Sequence, residues 1–191
     1  MRIPAFVLAA ALTLSLAPSG LALAPSALDR TGLTGPTARI TTLGATTAPV
    51  GLQIFCLRSP AHCKGGPATQ VQLDAAMMNA LNSVNRSVNS SIRPVLRPTQ
   101  VWELGARSGD CKDYAMNKRA RLIEMGVPAG ALRLAIGYTS RGEGHAVLVV
   151  RTDQGDLVLD NLTGQIKPFN QTGHRLIAIS SPDLRKWNSV A

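Results

Sequence analysis

The sequence predicts an α+β protein in which helices come first and antiparallel strands follow. Three observations carry this. Apolar residues recur at steps of three and four through residues 69–92, the spacing of a helix face, and Cys111, Ala115, Lys118/Arg119 and Leu122 share one side of a second helix. From Leu132 onward four strand-like segments succeed one another with no helical stretch between them. The link "TDQGD" between two of those segments is a hairpin signal, so these neighbours run antiparallel.

Taken in order, residues 1–24 ("MRIPAFVLAAALTLSLAPSGLALA") carry one Arg, then an apolar run from Ile3, then small residues. This is the layout of a cleaved secretory signal peptide, and the run is too short to span a membrane comfortably. No cysteine follows it, which argues against a lipoprotein. Residues 25–50 are rich in Thr, Pro, Gly and Ala with little periodicity, and are expected to form a flexible extension. The folded domain is then 51–191.

In "TQVQLDAAMMNALNSVNRSVNSSI", Leu73, Met77, Leu81 (or Ala80), Val84, Val88 and Ile92 mark one side of a helix. Thr69 with Gln72 suggests a capping box, and Pro94 ends the segment. Asn82, Asn85 and Asn89 form a neighbouring stripe, either solvated or packed on a loop. A second helix starts at Cys111, with Asp110 as N-cap, Gly126 as the residue past its end and Pro128 as a stop. The strands are "LRLAIGY" (132–138), "HAVLVVRT" (145–152), "DLVLDN" (156–161) and "RLIAIS" from Arg175.

The chain has 191 residues, 45% of them apolar and only 4% aromatic, so its core relies on aliphatic side chains. The net charge of +9 favours acidic partners. No run of five Lys/Arg occurs and the Trp and Tyr residues are not interleaved with basic clusters, so a nucleic-acid groove is not indicated. Export implies an oxidising compartment. There Cys56 and Cys63, close together around Pro60, are expected to form a local disulfide. A zinc site from Cys56, His62 and Cys63 fails on spacing, for want of a second ligand pair. Cys111 is left as the odd thiol, which in a secreted protein points to reactivity.

Its setting, "GDCKDYA", supports that. A thiolate at a helix start faces unpaired backbone N–H groups and the positive end of the helix dipole, with Lys112 beside it. Asp110 opposes the anion, and a buried structural cysteine is the plain alternative. A cysteine nucleophile needs a base and the base an orienting group. His145 opens a strand after a Gly-containing loop; His174 lies in a polar loop and His62 inside the disulfide loop. Asp160 closes an apolar strand, an odd place for a carboxylate without a partner. Cys111, His145 and Asp160 thus make a workable acyl-transfer set. One difficulty stands: a tight turn at Gln154–Gly155 would put Asp160 opposite Val149, about 13 Å along the strand from His145, so either a longer loop or a bulge shifts the pairing or the triad is wrong.

The ordered set "W…GDCKDYA…KR…LIEMGVP" and "GEGHAVLVVRTDQGDLVLDNL", with "FC…P…C" and the paired Val-Asn steps at Val84–Asn89, resembles the bacterial transglutaminase-like cysteine proteinases of the LapG type, periplasmic proteases that cut large surface adhesins. The resemblance runs from Phe55 to Trp187. It implies a papain/transglutaminase-like fold with a catalytic cysteine at a helix N-terminus. It also implies a triad of Cys111 as nucleophile, His145 as base then acid, and Asp160 as orienting group, with Trp102 a candidate oxyanion donor. Its implied partners are a membrane-anchored adhesin as substrate and an inhibitory membrane receptor. Relatives carry calcium-associated carboxylates around the cysteine; Asp110 and Asp113 remain here. Lys112 argues against calcium, since a charged lysine offers no lone pair, and no cofactor is required. The leading expectation is an exported cysteine endopeptidase. Thiol acyl transfer to an amine and a non-catalytic binding module are the alternatives.

Overall fold

The computed structural model describes residues 38–97 and 100–191. The expected signal peptide and residues 25–37 of the expected extension lie outside these. Among the described residues, three α-helices precede or flank a seven-stranded sheet. The helices are α1 (Val50–Arg58), α2 (Ala75–Ser91) and α3 (Cys111–Glu124). The strands, in chain order, are β1 (Thr42–Thr46), β2 (Arg93–Pro94), β3 (Ser108–Gly109), β4 (Leu132–Tyr138), β5 (Gly144–Thr152), β6 (Gly155–Leu159), β7 (Lys167–Pro168), β8 (Arg175–Ser180) and β9 (Trp187–Val190). The large sheet has the order β1-β9-β8-β4-β5-β6-β7 and all its pairings are antiparallel; β2 and β3 form a separate parallel pair. The α+β class read from the sequence is the fold observed.

The central strands are buried on both faces, which is why they read as near-continuous apolar runs. Leu134, Leu148, Val150, Leu157 and Leu159 join the main core with Leu52, Leu81, Val84, Met116, Leu122 and Trp187. Their alternate neighbours Ala135, Val147, Val149 and Val158 face the other way. There they pack with Ile40 and Ile179 beneath Phe169 and Leu176.

Three local expectations are corrected. Residues 42–46, placed in the flexible extension, form β1, the sheet's edge strand, and Val50 already opens α1. All five β1 residues are exposed, so no apolar alternation announced the strand. It is held by its ladder to β9 and, at Ile40 just before it, by a backbone N–H donated to Asp156 at 2.8 Å. The Thr69–Gln72 capping box does not form. Asp74 caps α2 instead, accepting the Met77 N–H at 2.7 Å, because Val71 is drawn into a bridge with Thr152. The β5–β6 turn is Asp153–Gln154, with Thr152 opposite Gly155, not Gln154–Gly155. Gly155 takes φ +128°, a conformation open to glycine, so the turn closes one residue earlier.

A disulfide joins Cys56 on α1 to Cys63, closing the short loop. Both sulfurs are buried against the main core, and Leu184 donates its N–H to the Cys63 carbonyl at 2.9 Å.

Candidate active site

Each part of the site is placed by a local feature of the chain. The β2–β3 pair delivers Gly109 directly into α3, and Tyr114 anchors that approach with a 2.6 Å hydrogen bond to the Ile92 carbonyl. Asp110 is the N-cap and Asp113 completes a capping box, accepting the Asp110 N–H at 3.0 Å. Gly109 is needed here, because a Cβ at that position would overlap the Asp113 carboxylate. Cys111 is therefore the first residue of the helix, where a backbone N–H has no intrahelical acceptor. At the other end Gly126, at φ +88°, closes the helix as its sequence position indicates.

Cys111 and His145 line one cleft of about 300 Å³, with Trp102, Lys112, Ile136, Tyr138 and Ile177 among its other walls. The register difficulty is resolved by the earlier turn. Leu148 faces Leu159, so one further step sets Asp160 beside Val147, two residues from His145 instead of four. Such a diagonal gap of roughly 7 Å is within side-chain reach. His145 Nε2 meets Asp160 Oδ1 at 2.8 Å. With Nε2 committed there, Nδ1 is the ring nitrogen left for a second partner.

The electrostatics follow from this contact. Burial works against a charged His145 ring, but the bond to Asp160 and the neighbouring Cys111 more than offset it, and its pKa is pushed up to about 9. Burial likewise opposes ionisation of Asp160. The His145 bond and charge, with hydrogen bonds from His174 and Leu162, hold its pKa well below the usual carboxylate range. Trp102, on the wall of this cleft, is 2% exposed and its Nε1–H is buried without a partner.

Two contributions were not read from the sequence. His174 places Nε2 2.7 Å from the second oxygen of Asp160. It precedes β8, and only the crossing from β7 to β8 brings it to this end of the sheet. Asn89 donates to the Asp160 carbonyl at 2.9 Å, and both Asn85 and Asn89 bond carbonyls of residues 163–164. Of the two readings open for the asparagine stripe, loop packing is the one these two residues adopt. Lys118, two turns into α3, is fully buried with Nζ unpartnered and feels the Asp160 charge.

Calcium was weighed at Asp110 and Asp113. One Asp110 oxygen accepts the Lys112 N–H at 3.2 Å and the other pairs with Lys112 Nζ at 2.5 Å. Asp113 spends one oxygen on the helix cap, leaving a single buried oxygen without a partner. Calcium takes six to eight oxygens, so the pair as arranged does not fit it. His145, Asp160 and His174 offer ligand atoms within 4.8 Å of one another, but two imidazoles and one carboxylate are not a calcium set either.

The family model for the bacterial transglutaminase-like cysteine proteinases (BTLCP) matches residues 42–191. No curated protein matches the sequence. Similar solved structures include LapG of Legionella pneumophila, at 23% identity and TM-score 0.48 over 54% of this chain and 63% of that one. An EGTA-treated form (22%, TM-score 0.47, 55% and 70%) and a calcium-bound form (22%, TM-score 0.45, 55% and 72%) of the same protein also match. The first of these matches thus spans under two thirds of the LapG chain. The family match covers nearly all of the described residues, the helix that begins at Cys111 and the sheet packed beneath it: the chain belongs to the bacterial transglutaminase-like cysteine proteinases.

Proposed function

We propose that the protein is an exported endopeptidase that cleaves a protein substrate through a thioacyl-enzyme on Cys111. The observation that carries this reading is the 2.8 Å bond from His145 to Asp160 in a ring that shares a cleft with the cysteine. His145 takes the thiol proton, and the sulfur attacks the scissile carbonyl carbon. The oxyanion that forms is received by the Cys111 N–H and by the Trp102 Nε1–H. His145 then protonates the leaving amine, and the C–N bond breaks to leave a thioester. Water, deprotonated by the same imidazole, attacks that thioester and releases the acid and the free thiol. Asp160 holds the ring and stays ionised while His145 carries charge.

The family supports a protein substrate, and a membrane-anchored adhesin is the one we favour. The net charge of +9 suits an acidic segment of such a protein. Export to the periplasm is supported by the apolar N-terminal run and by the Cys56–Cys63 disulfide, a bond at home in an oxidising compartment. The test is Cys111→Ala. It should abolish cleavage of a protein substrate while leaving the melting temperature within a few degrees of the wild type. Retained turnover would remove Cys111 as the nucleophile.

A further inference from the structure

We propose that His174 is a positioning residue, which fixes the Asp160 carboxylate and through it aims the imidazole of His145; this rests on the Cys111–His145 reading above. Asp160 is 4% exposed and accepts hydrogen bonds on both oxygens. Oδ1 takes His145 Nε2 at 2.8 Å and the Leu162 N–H at 3.0 Å, and Oδ2 takes His174 Nε2 at 2.7 Å. The terminal torsion of an aspartate is soft, so a carboxylate gripped at one oxygen can turn about it. Gripped at both, it turns only by breaking a buried charge-assisted bond. The plane of the carboxylate sets the line along which His145 is held, so His174 determines where the reactive ring points.

His174 is itself well placed for this. Its side chain is one-tenth exposed, and its backbone N–H is taken by Thr172 Oγ1 at 3.1 Å. Its ring stands edge-on to His145 with centroids 5.1 Å apart. Its Nδ1 is buried and has no partner. A proton there would be an unpaired buried donor, so the ring carries its N–H on Nε2, the tautomer that a carboxylate acceptor requires. His174 is not among the walls of the Cys111 cleft. It lines a separate cavity of about 170 Å³ on the other side of Asp160, together with Thr172 and Leu162. It therefore acts through Asp160 and not on the substrate.

The test measures iodoacetamide alkylation of Cys111 at pH 6.5, a readout that needs no substrate, in the full chain and three variants. His174→Ala removes the donor. His174→Gln puts an amide N–H where Nε2 was, whereas His174→Asn puts one nearer the position of Nδ1. We expect alkylation to slow at least tenfold in the Ala and Asn variants and to return to within threefold of the wild type in the Gln variant. A purely structural role would not distinguish Gln from Asn in this way. Equal rates in all four proteins overturn the proposal. If the Ala variant does not fold, the Gln–Asn comparison decides. Nitrogen-15 NMR of the wild type provides a further check: a His174 proton found on Nδ1 alone also overturns it. A wild type that alkylates no faster than an unstructured cysteine peptide sinks the Cys111–His145 reading itself, and this proposal with it. A fast wild type with equally fast variants sinks the His174 proposal alone.

Discussion

Replacing Lys118 by Met should stabilise the protein, and by an amount that depends on pH. Lys118 is fully buried and its amine has no hydrogen-bond partner. Burial, only partly countered by the Asp160 charge, lowers its pKa from 10.5 to about 7. At about 1.36 kcal/mol per unit, charging Lys118 in place costs on the order of 5 kcal/mol. Between pH 7 and 10.5 the unfolded chain holds a proton there that the folded chain lacks, so this residue makes stability rise with pH across that window. Methionine has a similar length and no charge, so Lys118→Met removes the penalty along with its pH dependence. Packing differences will absorb part of the gain, and ~2–4 kcal/mol at pH 7 is a reasonable expectation. By pH 9 the advantage should shrink by about 2 kcal/mol, because the proton that the wild type gives up on folding is released at less cost as pH nears the unfolded pKa of 10.5. Urea unfolding of both proteins at pH 7 and pH 9, with the disulfide intact, measures this; other titrating groups cancel in the difference. A Met variant that is less stable than the wild type, with no pH-dependent difference, would show that the ammonium is well solvated or paired and would refute the reasoning.

Asp160→Asn should lower the upper pH limit of activity. His145 has its pKa raised to about 9 with Asp160 as the main support, so its charge is lost as pH rises through that value, and earlier once the carboxylate is gone; the pH profile of kcat/KM reports the shift. Gly109→Ala should destabilise the fold by roughly 1–3 kcal/mol, since its methyl group meets the Asp113 carboxylate of the helix cap, and a thermal melt will show the loss. Chelation with EGTA should leave cleavage rates unchanged, because Lys112 already satisfies Asp110; a large loss restored by calcium would show that Asp110 and Asp113 do hold the ion.

The sequence was most legible where one residue type has one strong structural use. Asp110 before Cys111, Gly126 past the helix end and the apolar runs at 132–138 and 145–152 appear where their chemistry placed them. It was least legible where tertiary contacts decide. Strand β1 has five exposed residues, and α1 shows Val50, Ile54 and Leu57 to solvent, so neither displays a single apolar face. A tight turn at Gln154–Gly155, the one that would leave Asp160 out of reach of His145, is not the turn that forms. Thr152 decides it instead, by accepting the Gln154 N–H at 3.1 Å and donating to the Gly155 carbonyl at 2.7 Å. The one-residue change in the turn moved Asp160 two residues along its neighbour, the difference between a broken and a workable site. His174 carries no local signal, since the strands it connects, β7 and β8, are consecutive in the chain but separated in the sheet by β4, β5 and β6.

Asp160 shows why such a site must be assembled from several elements. A carboxylate this deeply buried would take up a proton and lose its hold on His145 unless donors made ionisation favourable. No single strand can supply them. β5 brings His145, the loop after β6 brings the Leu162 N–H, and the segment before β8 brings His174. From the opposite layer α2 fixes the Asp160 backbone through Asn89. Asp160 therefore contributes stability that is present above the ordinary aspartate pKa and is lost only as pH falls through its depressed folded value. His145 contributes stability that is full below about 6.5 and is lost as pH rises through about 9. Between those limits both partners are charged together. The contacts from β5, the loop after β6 and the segment before β8 are thus what let the buried pair ionise.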